Sequence, residues 1–325
     1  MVRVLSDDEV ASVLDLGELL PVIESAFVAQ GRGEVERPAR PHFPVGTGLE
    51  GEAALGTGLT MSAYVHGADY FVTKVAGVFE GNEARGLDTV NALVVLTDAT
   101  TGLPAAVMAG NRITNARTGA IGGLAARELA SSPVTLGVIG AGTQARWQTR
   151  AIAAATELAA VRVYAPSASR RDCAADLSAT LGVDARAVDS PEAALEGANV
   201  VVTATTADSP VFPGDSLEPG TLVVAVGAFS PDTRELDAAT FERASRVFAD
   251  VPDEVATIGD LTATDLTAAD LVPFSAVFQG DAGRQSDGEI VVVESVGTAV
   301  LDAAAGEYVL EAAEAAGVGS ELALR

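Results

Sequence analysis

The sequence contains very little lysine, cysteine and histidine. Its 20 basic residues comprise 19 arginines and one lysine, Lys74, while Cys173 is the single cysteine and His42 and His66 are the two histidines. One cysteine excludes an intramolecular disulfide and a cysteine-based structural metal site. Two widely spaced histidines predict no metal site. Because lysine can lose its proton whereas arginine keeps it, the one retained lysine is a candidate for proton transfer.

Positive charge is scarce as well. The chain has 45 acidic and 20 basic residues and a net charge of -25, which predicts neither nucleic acid nor membrane as a partner. No apolar run approaches the roughly 18 residues that span a bilayer, and no export signal is evident, so we expect a cytoplasmic protein. The acidic, lysine-poor composition resembles that of halophilic proteins, whose self-repulsion is screened by high salt.

The order of predicted elements indicates two domains, as 325 residues also suggest. Residues 10–29 have helical spacing, 31–58 are rich in Pro and Gly, and the runs 70–75 and 92–96 predict antiparallel strands with a hairpin turn at 97–102. From residue 134 strands and helices alternate, which predicts a parallel sheet covered by helices. We therefore predict an α/β fold with a Rossmann doubly wound parallel sheet domain over residues 118–296. A discontinuous mixed α+β domain comprises residues 1–117 with 297–325, including a carboxy-terminal helix.

A glycine-rich loop follows the first strand of the predicted Rossmann domain. The pattern Gly140-x-Gly142-x-x-Ala145 lies between a buried strand and a helix, which is the context of a dinucleotide-binding fingerprint. The helix amino terminus supplies amide donors for a pyrophosphate. The predicted cofactor contacts in this loop are Gly140, Ala141, Gly142, Thr143 and Gln144.

The end of the second Rossmann strand predicts the type of dinucleotide. NAD-specific proteins place an acidic residue there for the adenosine ribose, but this strand ends Val163-Tyr164-Ala165-Pro166-Ser167. Ser167 and Arg170 offer a hydroxyl and a guanidinium to a 2′-phosphate. NADP(H) is favoured, and NAD(H) is the alternative.

Several ordered motifs together resemble the ornithine cyclodeaminase and mu-crystallin family, which also contains an archaeal type of alanine dehydrogenase and ketimine reductases. The resemblance covers nearly the whole chain and depends on Arg40, the segment from Lys74 to Asn82, residues 113–118, the Gly140 loop, residues 231–237, and residues 295–297 followed by Asp302.

The family resemblance implies a homodimer built through the amino-terminal sheet domain, which serves substrate binding and dimerisation. It also implies a catalytic cleft between the two domains. Arg40, Lys74 and Arg117 would hold the carboxylate of a small amino, imino or keto acid. The resemblance further implies cofactor contacts from Thr118, Val226 and Ser295. Asp302 would orient one of the cations, or be a helix-capping or surface residue.

The chain departs from the cyclodeaminase where that enzyme has its catalytic acids. Phe229 follows Val226-Gly227-Ala228 in place of an Asp, and Thr60 precedes Met61 in place of a Glu. Without these acids, the simplest remaining chemistry is hydride transfer to C2 of an imine derived from a 2-oxo acid. Lys74 would donate the proton, with its pKa lowered by two neighbouring guanidinium groups. The alternatives are ornithine cyclodeaminase activity and a non-catalytic, NADPH-dependent ligand-binding protein of mu-crystallin type.

Overall fold

The computed structural model describes residues 1–228 and 230–323, so the prediction made for Phe229 lies outside the described residues. The strands are β1 (Val2–Leu5), β2 (Val35–Glu36), β3 (His42–Val45), β4 (Gly56–Val65), β5 (Tyr70–Val78), β6 (Val90–Asp98), β7 (Pro104–Ala109), β8 (Val134–Ile139), β9 (Leu158–Tyr164), β10 (Asp184–Ala187), β11 (Val200–Thr203), β12 (Leu222–Ala225), β13 (Ala244–Ala249), β14 (Val272–Pro273), β15 (Ile290–Glu294) and β16 (Ser320–Leu322). The helices are α1 (Asp7–Val13), α2 (Leu16–Gly31), α3 (Gly110–Leu129), α4 (Thr143–Ala155), α5 (Ser169–Leu181), α6 (Pro191–Leu195), α7 (Ala238–Arg243), α8 (Pro252–Val255), α9 (Ser275–Phe278) and α10 (Ala299–Ala316).

The chain divides into two compact units. The first contains residues 1–15, 32–117 and 298 onward, and the second contains Leu16–Gly31 and Thr118–Gly297. The segment 16–31 therefore groups with the second unit, and not with the amino-terminal residues to which the sequence analysis assigned it. The reason is packing: the ring of Phe27 meets that of Phe274 edge-on at 5.2 Å and stacks on Phe278 at 5.6 Å. The helix predicted over 10–29 is in fact two helices, because Leu14 is extended.

The first unit contains a mostly antiparallel sheet whose strands, among the described residues, run in the order β16-β1-β7-β6-β5-β4-β2, with β3 paired to β4. The predicted turn at 97–102 joins the antiparallel neighbours β6 and β7, which confirms that hairpin. Alternate residues of β5 are buried, namely Val72, Lys74 and Ala76, while Phe71 and Val75 are exposed. Helix α10 packs on the same sheet, where a side chain at Gly306 would crowd β6 and β7.

The second unit contains a fully parallel sheet in the order β10-β9-β8-β11-β12-β15-β13-β14 within the described residues. Strands β11, β12 and β15 are buried along their whole length, as a sheet covered on both faces requires. Strand order reverses beside β8, with β9 on one side and β11 on the other. This is the topological switch point at which doubly wound sheets bind ligands. The predicted α/β fold class is confirmed.

Candidate active site

Lys74 is buried in the middle of the first unit's sheet. It lies on β5 opposite Met61 of β4 and Val94 of β6, and only 2% of its surface is exposed. Because side chains alternate between the two faces of a strand, Lys74 points to the buried face with Val72 and Ala76. A buried ammonium requires a charged partner.

That partner is Asp302, in the first turn of α10. Its carboxylate is fully buried and lies between two cations. Lys74 Nζ donates to Asp302 Oδ2 at 2.7 Å, and Arg117 Nε donates to Asp302 Oδ1 at 2.9 Å. Thr298 caps the helix by accepting the Val300 amide, which fixes the start of α10. We call Lys74, Asp302 and Arg117 the buried ion triad.

The pKa of Lys74 is lowered toward neutrality within the buried ion triad. Burial lowers this pKa from 10.5 to about 8, with smaller lowering contributions from the charges of Arg117 and Arg40, while Asp302 raises it. The direction agrees with the sequence analysis, but the main cause is desolvation and not the guanidinium groups. Burial raises the pKa of Asp302, yet Arg117 and Lys74 outweigh this effect and keep it ionised. A lysine of this kind can give and take a proton near physiological pH.

Sequence reasoning placed Lys74, Arg117 and Arg40 together, and the structure brings at least the first two to one carboxylate. Arg40 is half-buried in the segment between β2 and β3, close enough for its charge to act on Lys74. The role of Asp302 could not be chosen from the sequence. Its burial and its two bonds depend on the packing of α10 against β5, across 228 residues of chain.

The phosphate loop begins where β8 ends. Gly140 has a φ of +117°, and its amide donates to the Tyr164 carbonyl at 2.8 Å. A side chain at Gly140 would overlap the Ala204 carbonyl, so only glycine fits there. Gly142 is the N-cap of α4 and is exposed, and a side chain added there would meet no protein atom within 4 Å. The protein itself does not require this second glycine, whereas the close approach of a pyrophosphate does.

The rest of this loop presents the start of α4. Thr143 opens the helix and is exposed, while Ala141 and Gln144 are half-buried. The 13-residue helix presents its first amides and the positive end of its dipole at this point. The residues present therefore fit the diphosphate of a dinucleotide.

Thr118 is held against α4, the helix that follows the phosphate loop, by the packing of α3 on that helix. Its carbonyl accepts from Gln148 Nε2 at 2.8 Å, and a side chain at Gly122 would overlap the same Gln148. A side chain at Gly119 would overlap the main chain of Trp147. These small residues allow the close contact between α3 and α4.

Arg170, which was predicted to contact the adenosine ribose, is anchored at the carboxyl end of β9. It donates to the Ala165 and Ser167 carbonyls at 3.2 and 2.9 Å, and to Asp189 Oδ1 at 3.0 Å. Ser167 is exposed, and its Oγ lies 2.6 Å from that of Ser169. Hydroxyl groups and a guanidinium thus meet at this edge of the sheet.

Val226 and Ser295 follow two other strands of the same sheet. Val226 is half-buried directly after β12. Ser295 is buried, and its hydroxyl donates to Asp250 Oδ2 at 2.6 Å and accepts from the Gly297 amide at 3.3 Å. The hydroxyl of Ser295 therefore forms its hydrogen bonds with other residues of the protein.

The remaining polar candidates have structural roles. The Asn82 side chain donates to the Asp88 carbonyl at 2.9 Å within a turn. His66 pairs with Glu36 at 3.1 Å on the surface, and Cys173 is buried in α5. Within residues 1–228 and 230–323, no group of three or more acidic, cysteine or histidine residues could hold a metal ion. In the same residues, no helix is both long and apolar enough to cross a membrane.

Comparison with known proteins adds relatives that match over their full length. A delta(1)-pyrroline-2-carboxylate reductase of Bacillus cereus is 31% identical over 332 residues, which cover 98% of this chain and 99% of that protein. The structure of Thermococcus litoralis delta(1)-pyrroline-2-carboxylate reductase in complex with NADH and L-proline has a TM-score of 0.93 and 28% identity, covering 99% of this chain and 100% of the other. An archaeal alanine dehydrogenase dimer with bound NAD has a TM-score of 0.91 and 28% identity, covering 100% and 99%.

A sequence profile of the ornithine cyclodeaminase/mu-crystallin family matches residues 1–317, nearly the entire chain. The motifs around Lys74, Arg117, the Gly140 loop and Asp302 all lie within that match. The chain belongs to the ornithine cyclodeaminase/mu-crystallin family.

Proposed function

We propose that this protein is an NAD(P)H-dependent oxidoreductase that reduces the C2 imine of a 2-oxo acid to the amino acid. The observation that carries the proposal is the buried ion triad, in which Lys74 has a pKa of about 8 beside the carboxylate of Asp302. The similarity to a delta(1)-pyrroline-2-carboxylate reductase and to an alanine dehydrogenase supports the same reaction class.

Two arginines bind the substrate carboxylate in this proposal. Arg117 carries a planar guanidinium with five N–H donors, of which Nε goes to Asp302. Arg40 adds a second guanidinium, whose charge acts on Lys74. Two such groups hold a carboxylate in one orientation and fix the position of C2 relative to Lys74.

Lys74 acts as the proton donor. The reduced nicotinamide supplies a hydride to C2 when the cofactor is bound. The Lys74 ammonium gives its proton to the imine nitrogen, so that the C=N bond becomes a C–N bond with one hydrogen added to each atom. Asp302 remains ionised and holds the ammonium in place before the transfer. In the reverse direction, neutral Lys74 takes the proton back.

Delta(1)-pyrroline-2-carboxylate is the substrate that we propose first. It is the substrate named for the Bacillus cereus relative, and the structure of the Thermococcus litoralis enzyme holds L-proline, the corresponding amino acid. The imine of pyruvate, which reduction would convert to alanine, is the second candidate through the similarity to alanine dehydrogenase.

The residues that follow the carboxyl end of β9 support a preference for NADP(H). No acidic residue lies between Val163 and Ser167, and Arg170 is anchored beside the exposed Ser167. Both groups suit a ribose 2′-phosphate. Asp189 pairs with Arg170 at 3.0 Å and weakens that preference, so NAD(H) remains a usable cofactor in this proposal.

We also propose a homodimer formed through the sheet face opposite α10. Phe71, Val75 and Leu93 are 36%, 48% and 42% exposed on that face, and Val75 lies directly opposite Leu93. A hollow of about 380 Å³ lined by Phe71 and Tyr64, among others, continues the apolar surface. Contiguous apolar surface of this kind marks interaction sites, and the related alanine dehydrogenase is a dimer. We place the protein in a cytoplasm of high salt, in agreement with its net charge of -25.

The decisive experiment follows nicotinamide absorbance in concentrated KCl, with NADPH and NADH in separate reactions. The substrates are delta(1)-pyrroline-2-carboxylate, piperideine-2-carboxylate, pyruvate with ammonia, and L-ornithine. We expect fastest oxidation of NADPH with a cyclic imine. Lys74→Arg should lose at least about 100-fold in kcat while still binding NADPH, because arginine cannot donate the proton.

Two results would overturn the proposal. Release of ammonia and proline from L-ornithine without net cofactor turnover would identify a cyclodeaminase. Tight NADPH binding without turnover of any substrate would identify a ligand-binding protein instead.

A further inference from the structure

The segment 231–237 carries a buried acid that the proposed reaction does not use. Glu235 lies between β12 and α7 and is fully buried. Its Oε1 accepts the Thr205 amide at 2.6 Å. Its Oε2 accepts the Gly227 amide at 2.8 Å and the Thr203 hydroxyl at 2.9 Å. One carboxylate therefore satisfies three donors from two other segments of the chain.

These donors lie at the end of β11 and in the loops that follow β11 and β12. Thr205 lies two residues after the end of β11, and Gly227 lies two residues after the end of β12. A side chain at Gly227 would overlap both the Thr205 carbonyl and the Glu235 carboxyl group. The two loops and Glu235 thus form one closely packed group, which we call the loop clamp.

The position of the loop clamp in the sheet indicates what it holds. A dinucleotide on a doubly wound sheet lies across the carboxyl ends of the strands, with its pyrophosphate at the first strand-to-helix turn. Here that turn is the Gly140 loop after β8. The adenosine half then lies on the β9 side, and the nicotinamide half lies on the side of β11 and β12, where the loop clamp is found.

We propose that Glu235 is a positioning residue for hydride transfer, whose buried carboxylate fixes the loops after β11 and β12 and thereby the nicotinamide ring. The inference rests on the proposed binding of the dinucleotide at the Gly140 loop. Glu235 touches neither the substrate nor the phosphate loop in this arrangement, and it acts through the Thr205 and Gly227 main chain.

A second buried acid supports the loop clamp from behind. Asp260 is 1% exposed, and its Oδ1 accepts the amides of Glu235 and Leu236 at 2.5 and 2.8 Å. Glu235 is therefore held at its main chain while its side chain holds the loops. Burial raises the pKa of Glu235 to about 7, and the hydrogen bonds from Thr205, Thr203 and Gly227 oppose that rise.

A third buried acid, Glu294, lies close enough to Glu235 for their charges to interact. Glu294 ends β15 beside β12, and burial together with the charges of Asp260, Glu235 and Asp250 raises its pKa well above the ordinary value. A raised pKa favours the neutral form of Glu294, which adds no negative charge beside Glu235.

The test is Glu235→Gln, which keeps the shape but replaces one acceptor oxygen with an NH₂ group. That group would face an N–H or O–H donor and would loosen one of the two loops. Binding of ADP-ribose and of its 2′-phosphate, followed by the fluorescence of the single tryptophan Trp147, reports the adenosine half alone. We expect these affinities to stay within about twofold of wild type, while kcat for imine reduction falls at least about tenfold.

A matched control lies in the same segment. Asp237 caps α7 by accepting the amides of Thr240 at 2.8 Å and of Gly214 at 3.0 Å. Asp237→Asn makes the same carboxylate-to-amide change two residues away from Glu235, and asparagine is an equally good helix cap. Its kcat and both ligand affinities should equal those of wild type.

A milder variant covers the case in which Glu235→Gln does not fold. Thr203→Val removes only the hydroxyl donor, so kcat should fall by at least about twofold, with ADP-ribose affinity unchanged.

The outcomes separate the inference from the proposed function. Wild-type kcat in a folded Glu235→Gln protein, or in Thr203→Val when Glu235→Gln is unfolded, overturns the positioning role. An equal loss of ADP-ribose affinity and kcat overturns it too, because the defect would then not be confined to the nicotinamide side. Failure of the wild-type protein to bind ADP-ribose or its 2′-phosphate would instead refute the proposed cofactor site.

Discussion

Replacing Asp302 with asparagine should shift the pH dependence of both reaction directions to lower pH, which slows imine reduction at pH 7 and favours amino acid oxidation there. In the wild-type protein, Lys74 has a pKa of about 8, so about 90% of it is protonated at pH 7. Asp302 is a group that raises this pKa, whereas burial, Arg117 and Arg40 lower it. Without the carboxylate, the pKa of Lys74 therefore falls below 8.

The consequence for catalysis depends on which form of Lys74 each direction needs. Imine reduction uses the ammonium, so its kcat/KM falls as pH rises through the pKa of Lys74. Amino acid oxidation uses the neutral amine, so its rate rises over the same interval. In Asp302→Asn, the pH-dependent limbs of both rate profiles, the falling one for reduction and the rising one for oxidation, should move to lower pH. Reduction should become slower at pH 7, while oxidation should reach its plateau at a lower pH than in wild type.

The same substitution should destabilise the protein. Breaking a buried ion pair by removing one partner costs about 3–5 kcal/mol, out of a total stability of about 5–15 kcal/mol. Because the pKa of Lys74 in the folded variant lies below its unfolded value of 10.5, the unfolded state binds more protons between these two values. The free energy of unfolding should therefore rise as pH increases through this interval.

The assay is the pH profile of kcat/KM in both directions, together with thermal unfolding at matched pH and salt. Glu311→Gln on the exposed side of the same helix is the matched control and should keep wild-type profiles. Asp302→Glu restores the charge at a cost of about 1–3 kcal/mol for overpacking and should return both limbs toward their original pH. An active Asp302→Asn enzyme with unmoved limbs would refute the assignment of the titrating group to Lys74.

Three further predictions concern the cofactor, the salt response and the assembly. Arg170→Ala should reduce kcat/KM with NADPH at least about tenfold relative to that with NADH, and an equal loss with both cofactors would contradict the 2′-phosphate contact. Raising KCl from about 0.1 M to about 3 M should increase the melting temperature in calorimetry, because salt screens the repulsion within a chain of net charge -25. A falling melting temperature would argue against a halophilic surface. Val75→Asp should yield a monomer in sedimentation velocity, since it puts a charge on the exposed apolar sheet face, and an unchanged mass would exclude that face as the interface.

The phosphate loop shows what local sequence can predict. The strand β8, the turn at Gly140 and the helix α4 are contiguous in the chain, and the positive φ of Gly140 is a property of one residue. Periodicity likewise predicted the parallel sheet of the second unit and the hairpin of β6 and β7. The sequence analysis placed segment 16–31 with the amino-terminal residues, whereas its contacts group it with the second unit, because an apolar face such as that of Phe27 does not specify which partner covers it.

The sequence by itself determined the family motifs, the α/β fold class and the prominence of Lys74 as the one lysine. Only the tertiary structure decided how that lysine is tuned. Asp302 lies 228 residues away along the chain, and the pKa of Lys74 is set chiefly by burial between a strand and a helix that meet only in the folded protein. The same holds for Glu235, whose three donors come from two other strand ends. Desolvation and long-range hydrogen bonds are properties of the packed environment, and no local pattern of residues encodes them.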